Sequence, residues 1–205
     1  MIDQAQAEHR AFLNRYYGTV KHVYDLTRKY YLFGRDTALG QLVAEPWTTL
    51  VEVGPGTGRN LLWLRKRRPE ARYGGIEASD EMLDLARSRC PWATLHHGYA
   101  ETADMAGLHG TRPDRILFSY CLSMVRDPQA ALLNARRALA PGGEVVVVDF
   151  GDLGGVWGPV RSPLQAFLRA FHVEPLDEAV LAPHGGTRQT GPGGYFVIAR
   201  LPAGS

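Results

Sequence analysis

The chain has 205 residues, of which 45% are hydrophobic and 21% charged, which fits one globular domain with an appendage and excludes a disordered, collagen-like or coiled-coil chain. Its longest uninterrupted aliphatic run, Val145 to Val148, falls far short of the roughly 20 apolar residues that a membrane-spanning helix needs. The net charge of +2 is too small to imply nucleic acid, and a polar amino terminus with only two cysteines, Cys90 and Cys121, in no metal-like spacing, leads to the expectation of a reduced, cytoplasmic chain without a metal.

Residues 1–45 are expected to form an N-terminal helical cap. Phe12, Tyr16 and Thr19 or Val20, then Val23, Tyr24, Leu26 and Tyr30, recur at near-helical spacing, with Gly18 and Gly34 as punctuation. Pro46 closes this section, and residues 46–205 read as one compact unit. Thr48–Val53 is a candidate buried strand, followed by a glycine-rich turn at Gly54–Gly58. Arg59–Arg68 reads as a helix stopped by Pro69. Arg72–Glu77 is a second strand, and Ser79 or Asp80 can cap a helix running to about Arg89. Ala93–His97 and Asp114–Ser119 are further strands. Pro128–Leu139 is a helix ended by Ala140-Pro-Gly-Gly143, and Glu144–Phe150 is a fifth strand. Leu164–Phe171 reads as helical, Gly185–Gly194 as turn-rich, and Tyr195–Leu201 as a last strand. Strands that alternate with helices imply crossover connections and a mostly parallel sheet with helices on both faces.

The motif with the most chemistry is Val51-Glu-Val-Gly-Pro-Gly-Thr-Gly58. A strand ends there, and glycines let the chain turn sharply enough for a ligand to approach the backbone. The G-x-G-x-G spacing departs from the dinucleotide pattern G-x-G-x-x-G. Glu52, two residues before the first glycine, would be unwelcome beside phosphates but acceptable beside a cation. Glu77 ends the next strand, where a carboxylate can take both hydroxyls of a ribose.

E-x-G-x-G-x-G, the acid Glu77, and a late L-x-P-G-G before the fifth strand together resemble the class I S-adenosylmethionine-dependent methyltransferases. That resemblance implies a Rossmann-like α/β fold, a seven-stranded sheet of order 3-2-1-4-5-7-6 with an antiparallel last strand, and S-adenosyl-L-methionine as the cofactor. It places Gly54, Gly56 and Gly58 against the amino acid and ribose parts of the donor, and Glu52 near its ammonium. Glu77 would hold the ribose hydroxyls, with Ile76 and Ala78 flanking the adenine. In His97-Gly-Tyr-Ala-Glu-Thr102, Tyr99 stands where the family often has an aspartate, so Ala100 and Glu101 become the candidate adenine contacts. Ser119-Tyr-Cys-Leu-Ser-Met124 falls at the junction between cofactor and substrate, with Ser119 assigned to the cofactor side.

The flanks narrow the acceptor. Asn14–Gly18, Val23–Arg35, Val148–Asp152 and Phe171–Val173 resemble the diacylglyceryl-homoserine N-methyltransferases of bacterial betaine-lipid synthesis. This implies a lipid headgroup amine methylated up to three times, and functional coupling to the transferase that makes the lipid-linked homoserine. A quaternary ammonium product prefers aromatic faces, which Tyr16, Tyr17, Tyr24, Tyr30 and Tyr31 can supply, although each can equally be helix packing. Tyr24, Tyr120 and Asp149 are the candidate catalytic residues; Asp149 either holds a cationic amine or simply ends its strand, and His172 either relays a proton or is structural. A soluble amine or phenol is the alternative acceptor. A lipid substrate would require peripheral contact with an anionic inner-membrane face. Arg65–Arg68 offers either such a basic patch or an ordinary solvated helix face, and Arg15, Lys21, Arg28, Lys29 and Arg35 are expected to decorate the cap.

Overall fold

A computed structural model describes residues 32–204 other than 157, 160 and 164–174. The short aliphatic runs become strands because a sheet covered on both faces is where such runs can bury both sides. They are β1 Thr49–Val53, β2 Arg72–Glu77, β3 Thr94–His97, β4 Arg115–Ser119, β5 Glu144–Phe150, β6 Thr187–Thr190 and β7 Phe196–Pro202. Their order is β3-β2-β1-β4-β5-β7-β6. The first five run parallel, and β7 is antiparallel to both β5 and β6.

β6 lies within the turn-rich stretch Gly185–Gly194 and completes the seven-stranded order that the family resemblance implies. Its four residues, Thr-Arg-Gln-Thr, are all exposed and, among the described residues, pair only with β7. An edge strand with no buried face carries no apolar alternation, so nothing in its own composition marks it.

Helices among the described residues include α1 Phe33–Ala44, α2 Arg59–Arg65, α3 Asp80–Arg89, α4 Pro128–Ala138 and a single turn, α5 Glu178–Leu181. Ser79 caps α3 by accepting from the Met82 N–H, and Asp127 caps α4 by accepting from the Ala130 N–H with Pro128 next in line. Gly34 lies inside α1 and does not interrupt it. A Cβ there would stand 2.4 Å from the Phe196 ring, so the glycine permits close packing of α1 on β7.

Successive strand residues point to opposite faces. Val51, Val53, Ile116, Phe118, Val145 and Val147 pack against Ala131, Leu132 and Ala135 of α4. Leu50, Tyr73, Leu117 and Val146 pack against Leu39 and Leu42 of α1, Leu61 and Leu64 of α2, and Leu83 and Ala86 of α3. A third cluster, including Leu32, Ala38, Tyr120, Val148, Phe150 and Phe196, joins the start of α1 to the carboxyl ends of β4 and β5. Residues 32–44 therefore share the core of the sheet.

The basic run after α2 is built into the scaffold. α2 ends at Arg65, short of the predicted Arg68. Arg68 donates to the carbonyls of Val43, Glu45 and Trp47 and stacks 4.6 Å from the Trp47 ring centroid. Arg65 donates to the Pro69 carbonyl and lies 5.4 Å from the Trp92 centroid, and Arg67 lies 3.6 Å over Trp63. Because α2 leads from the carboxyl end of β1 back to the amino end of β2, this run sits at the end of the sheet away from the glycine turn. Among the described residues, no helix is long and apolar enough to cross a membrane.

Candidate active site

β1 delivers the chain to the glycine turn at the carboxyl edge of the sheet, the edge at which ligands bind in open α/β folds. Gly54, Gly56 and Gly58 all have positive φ, at 64°, 55° and 76°, but their surroundings differ. A Cβ on Gly54 would meet Cys121 Cβ at 2.9 Å, and one on Gly58 would meet Cys90 Sγ at 2.7 Å. A Cβ on Gly56 would meet nothing within 4 Å. The outer glycines are therefore tied to packing behind the turn, whereas Gly56 faces open space.

Glu77, at the tip of β2, is buried. Its Oε2 accepts from the Gly56 N–H and its Oε1 from the Ser79 N–H, each at 3.0 Å. The carboxylate thus clamps the turn to the start of α3 while standing beside the cleft.

The cleft, open to solvent, is bordered by Leu32, Arg35, Glu52, Gly56, Asn60 and Ser119. Glu52 is 1% exposed, and Asn60 Nδ2 donates to its Oε1 at 2.7 Å. Among the described residues, its Oε2 is buried without a hydrogen-bond partner, as is Ser119 Oγ. Burial, reinforced by the nearby Glu77 charge and opposed by Asn60 and Arg35, raises the Glu52 pKa from 4.5 to about 8. A buried carboxyl with an unsatisfied oxygen beside a cleft is suited to receiving a cation, which would stabilise its ionised form.

Arg35 corrects an expectation. It does not decorate the cap surface: it is 5% exposed and borders the cleft. Its Nε meets Asp36 Oδ1 at 3.3 Å, a carboxylate that is itself largely exposed. In the sequence Arg35 is one cation among several, and Asn60 stands outside the glycine motif. Asn60 was findable, since it stands eight residues after Glu52 in the first turn of α2.

The remaining candidates fall around the same edge. Tyr120 follows β4 with a left-handed φ of 54° and is 2% exposed. Its hydroxyl accepts from the Gly34 N–H at 3.2 Å, away from open cleft space. Asp149 is fully buried; its oxygens accept from the Ser123 N–H and hydroxyl and from the Phe150 N–H. It holds the helical turn Leu122–Met124 that follows β4. Of the residues expected to contact adenine, Ala78 is half-buried and Ala100 buried. The Ala100 carbonyl accepts from Asn134 Nδ2, and Glu101 accepts from the Asp127 N–H at 3.3 Å. Ile76, within β2, packs in the core. Tyr24, the other cap tyrosines and His172 lie outside the described residues.

Comparison with known proteins agrees with this geometry. The family model described as a methyltransferase domain matches residues 51–147. A demethylmenaquinone methyltransferase of Tropheryma whipplei is 30% identical over 154 residues, covering 70% of this chain and 61% of that protein. The chain thus spans about three fifths of that relative's length. Among solved structures, the S-adenosylmethionine-bound amino pentose methyltransferase CalS10 from Micromonospora echinaspora is 27% identical, with a TM-score of 0.51 over 61% of this chain and 55% of that one. A structure described as a possible histamine N-methyltransferase from Thermotoga maritima matches the fold over 93% of this chain and 99% of its own, at TM-score 0.68 and 20% identity.

The residues present fit the donor that this fold takes. The unsatisfied Glu52 Oε2 suits an ammonium, the Arg35 guanidinium a carboxylate, and Glu77 a pair of hydroxyls. The open side of Gly56 leaves backbone accessible where a Cβ would otherwise project.

Proposed function

We propose that this chain, which belongs to the class I S-adenosylmethionine-dependent methyltransferases, methylates an amine, and that its acceptor is the homoserine amine of diacylglyceryl-homoserine, carried to the trimethyl betaine lipid. The observation that carries the methyltransferase reading is the cleft in which Glu77 clamps the Gly54–Gly58 turn while Glu52 presents an unsatisfied carboxylate oxygen. The lipid acceptor rests on the sequence resemblance of the flanks, of which Val148–Asp152 lies among the described residues.

When bound, S-adenosylmethionine supplies an electrophilic methyl group on a positively charged sulfur. The protein's contribution is alignment and exclusion of water. Glu52 and Arg35 would fix the amino acid end, Glu77 the ribose, and Ala78, Ala100 and Glu101 the side of the cleft taken by the base. Ser119 Oγ, at the end of β4, stands where donor and acceptor sides meet. The acceptor nitrogen must arrive with its lone pair free. Asp149 is bonded to Ser123 and Phe150, which favours deprotonation of the amine before it enters over abstraction by this carboxylate. A run of edge-to-face aromatic pairs links Tyr120, Phe150, Tyr195 and Phe33, with centroids 4.7, 5.9 and 5.3 Å apart. Phe33, 61% exposed at its outer end, offers a ring face to a methylated ammonium.

The test is incubation of the purified chain with labelled donor and diacylglyceryl-homoserine in mixed micelles. Mono-, di- and trimethylated lipid is the expected result, and absence of all three overturns the lipid acceptor. A soluble small-molecule acceptor is the second reading, favoured by the amino pentose named for CalS10. Turnover of soluble amines or phenols without lipid or detergent would select it.

A further inference from the structure

α1 begins without a capping side chain of its own. Its N-cap residue is Leu32, whose side chain has no oxygen to offer; the Leu32 carbonyl accepts from the Arg35 N–H at 3.4 Å, and the N-cap makes no side-chain bond among the described residues. An orphan N–H at a buried helix start is costly unless another group accepts from it. The acceptor here comes from 86 residues away: Tyr120 Oη takes the Gly34 N–H at 3.2 Å in a buried setting.

Tyr120 is itself held unusually firmly. Its left-handed backbone follows directly on Ser119. Its own N–H donates to the Val148 carbonyl at 2.7 Å, and its ring packs edge-to-face on Phe150. A non-glycine residue in that conformation costs free energy and persists only where its surroundings hold it. On the helix side, the residue after Gly34 is Arg35, which borders the cleft together with Glu52 and Ser119. One hydroxyl therefore connects the strand end carrying Ser119 to the helix turn carrying Arg35.

We propose that Tyr120 is a positioning residue: its hydroxyl caps α1 from the end of β4 and thereby holds the Arg35 guanidinium in place for the carboxylate of the donor. This rests on the methyltransferase reading above. It gives Tyr120 a task other than contact with the acceptor, and it links the β4 end, on the acceptor side, to the grip on the amino acid end of the donor.

The experiment compares two ligands by titration calorimetry. S-adenosylhomocysteine carries the amino acid carboxylate, whereas methylthioadenosine lacks the whole amino acid end. Arg35→Ala should weaken S-adenosylhomocysteine by about tenfold or more, the scale of one lost charge-assisted contact, and leave methylthioadenosine within about twofold. Tyr120→Phe keeps the ring and removes the cap; it should weaken S-adenosylhomocysteine by about threefold to tenfold, as for loss of an N-cap, again sparing methylthioadenosine. The double variant should bind no more weakly than Arg35→Ala alone. Equal losses for both ligands in Tyr120→Phe, full additivity, or no loss at all overturns the inference. Should Tyr120→Phe fail to fold, amide exchange of the unmodified protein decides: greater protection of Gly34 by S-adenosylhomocysteine than by methylthioadenosine is expected, and equal protection overturns it. A wild-type chain that binds neither ligand overturns the methyltransferase reading, and this inference with it. Equal wild-type affinity for the two overturns the inference alone.

Discussion

Glu52 holds a proton to about pH 8 in the folded chain, against an ordinary 4.5, and this has two opposite consequences. Between those values the folded state binds a proton that the unfolded state has released. Stability from this group is therefore present at low pH and is lost as pH rises from the lower value towards the higher. Binding a cation runs the other way, because only the ionised carboxylate attracts an ammonium. Donor affinity should thus rise as pH is raised towards 8 and then level off. Glu52→Gln keeps the acceptor for Asn60 but cannot ionise. It should remove that pH slope, weaken the donor by about 1–3 kcal/mol, and raise the melting temperature of the ligand-free protein above pH 8. Calorimetric titrations and thermal melts across pH 6–9 check both signs; a slope that survives in Glu52→Gln would assign it to another group. Glu52, Glu77 and the glycines were legible in the sequence because their spacing is local to two strand ends. Arg35 was not: its burial depends on where β4 and β5 receive the start of α1, and no pattern within residues 1–45 encodes that.

At the scale of elements, the connections between helices and sheet are made by single long side chains. Arg68 bridges from the end of α2 to three carbonyls between the end of α1 and the start of β1. Arg200 of β7 joins Glu45, just past α1, to Glu144 of β5. Arg68→Ala should destabilise the protein by about 1.5–3 kcal/mol, through three lost charge-assisted bonds and the stacking on Trp47. Arg68→Lys should recover little of this, because one ammonium cannot serve three carbonyls spread around a planar fork. Denaturant titration checks both, and full recovery by lysine would contradict the geometry. The buried strands were read from composition to within one residue at each end. α2 was overextended because the Arg-Lys-Arg-Arg run has good helix propensity, and β6 was passed over because all its side chains are exposed.

At the scale of the molecule, the parallel order of β1 to β5 gathers Glu52, the glycine turn, Glu77, Ser119 and Asp149 at one edge of the sheet, while Arg65–Arg68 lies at the other. Peripheral contact that serves a lipid acceptor has to form at the edge bearing the cleft. The basic run is therefore expected to add little: the paired change Lys66→Ala and Arg67→Ala should leave sedimentation with anionic phosphatidylglycerol vesicles within about twofold of wild type, given the roughly 1 kcal/mol per cation available only to residues at the membrane surface. A larger loss would place the contact face at the opposite edge. The layered fold and its strand order were legible from the alternation of elements and the family resemblance. The identity of the cleft-lining side chains from α1 required the folded arrangement.

The central claim is that the backbone at Gly56, clamped by Glu77, receives S-adenosylmethionine. Gly56→Val tests it most directly, because a Cβ there would meet nothing within 4 Å, so the cost to the fold is mainly that of the positive φ, about 1–3 kcal/mol for a non-glycine residue. Calorimetric titration should show saturable donor binding to the wild type and none to Gly56→Val, with the two proteins giving the same far-ultraviolet circular dichroism. Equal donor affinity in a folded Gly56→Val would contradict the assignment of the cleft.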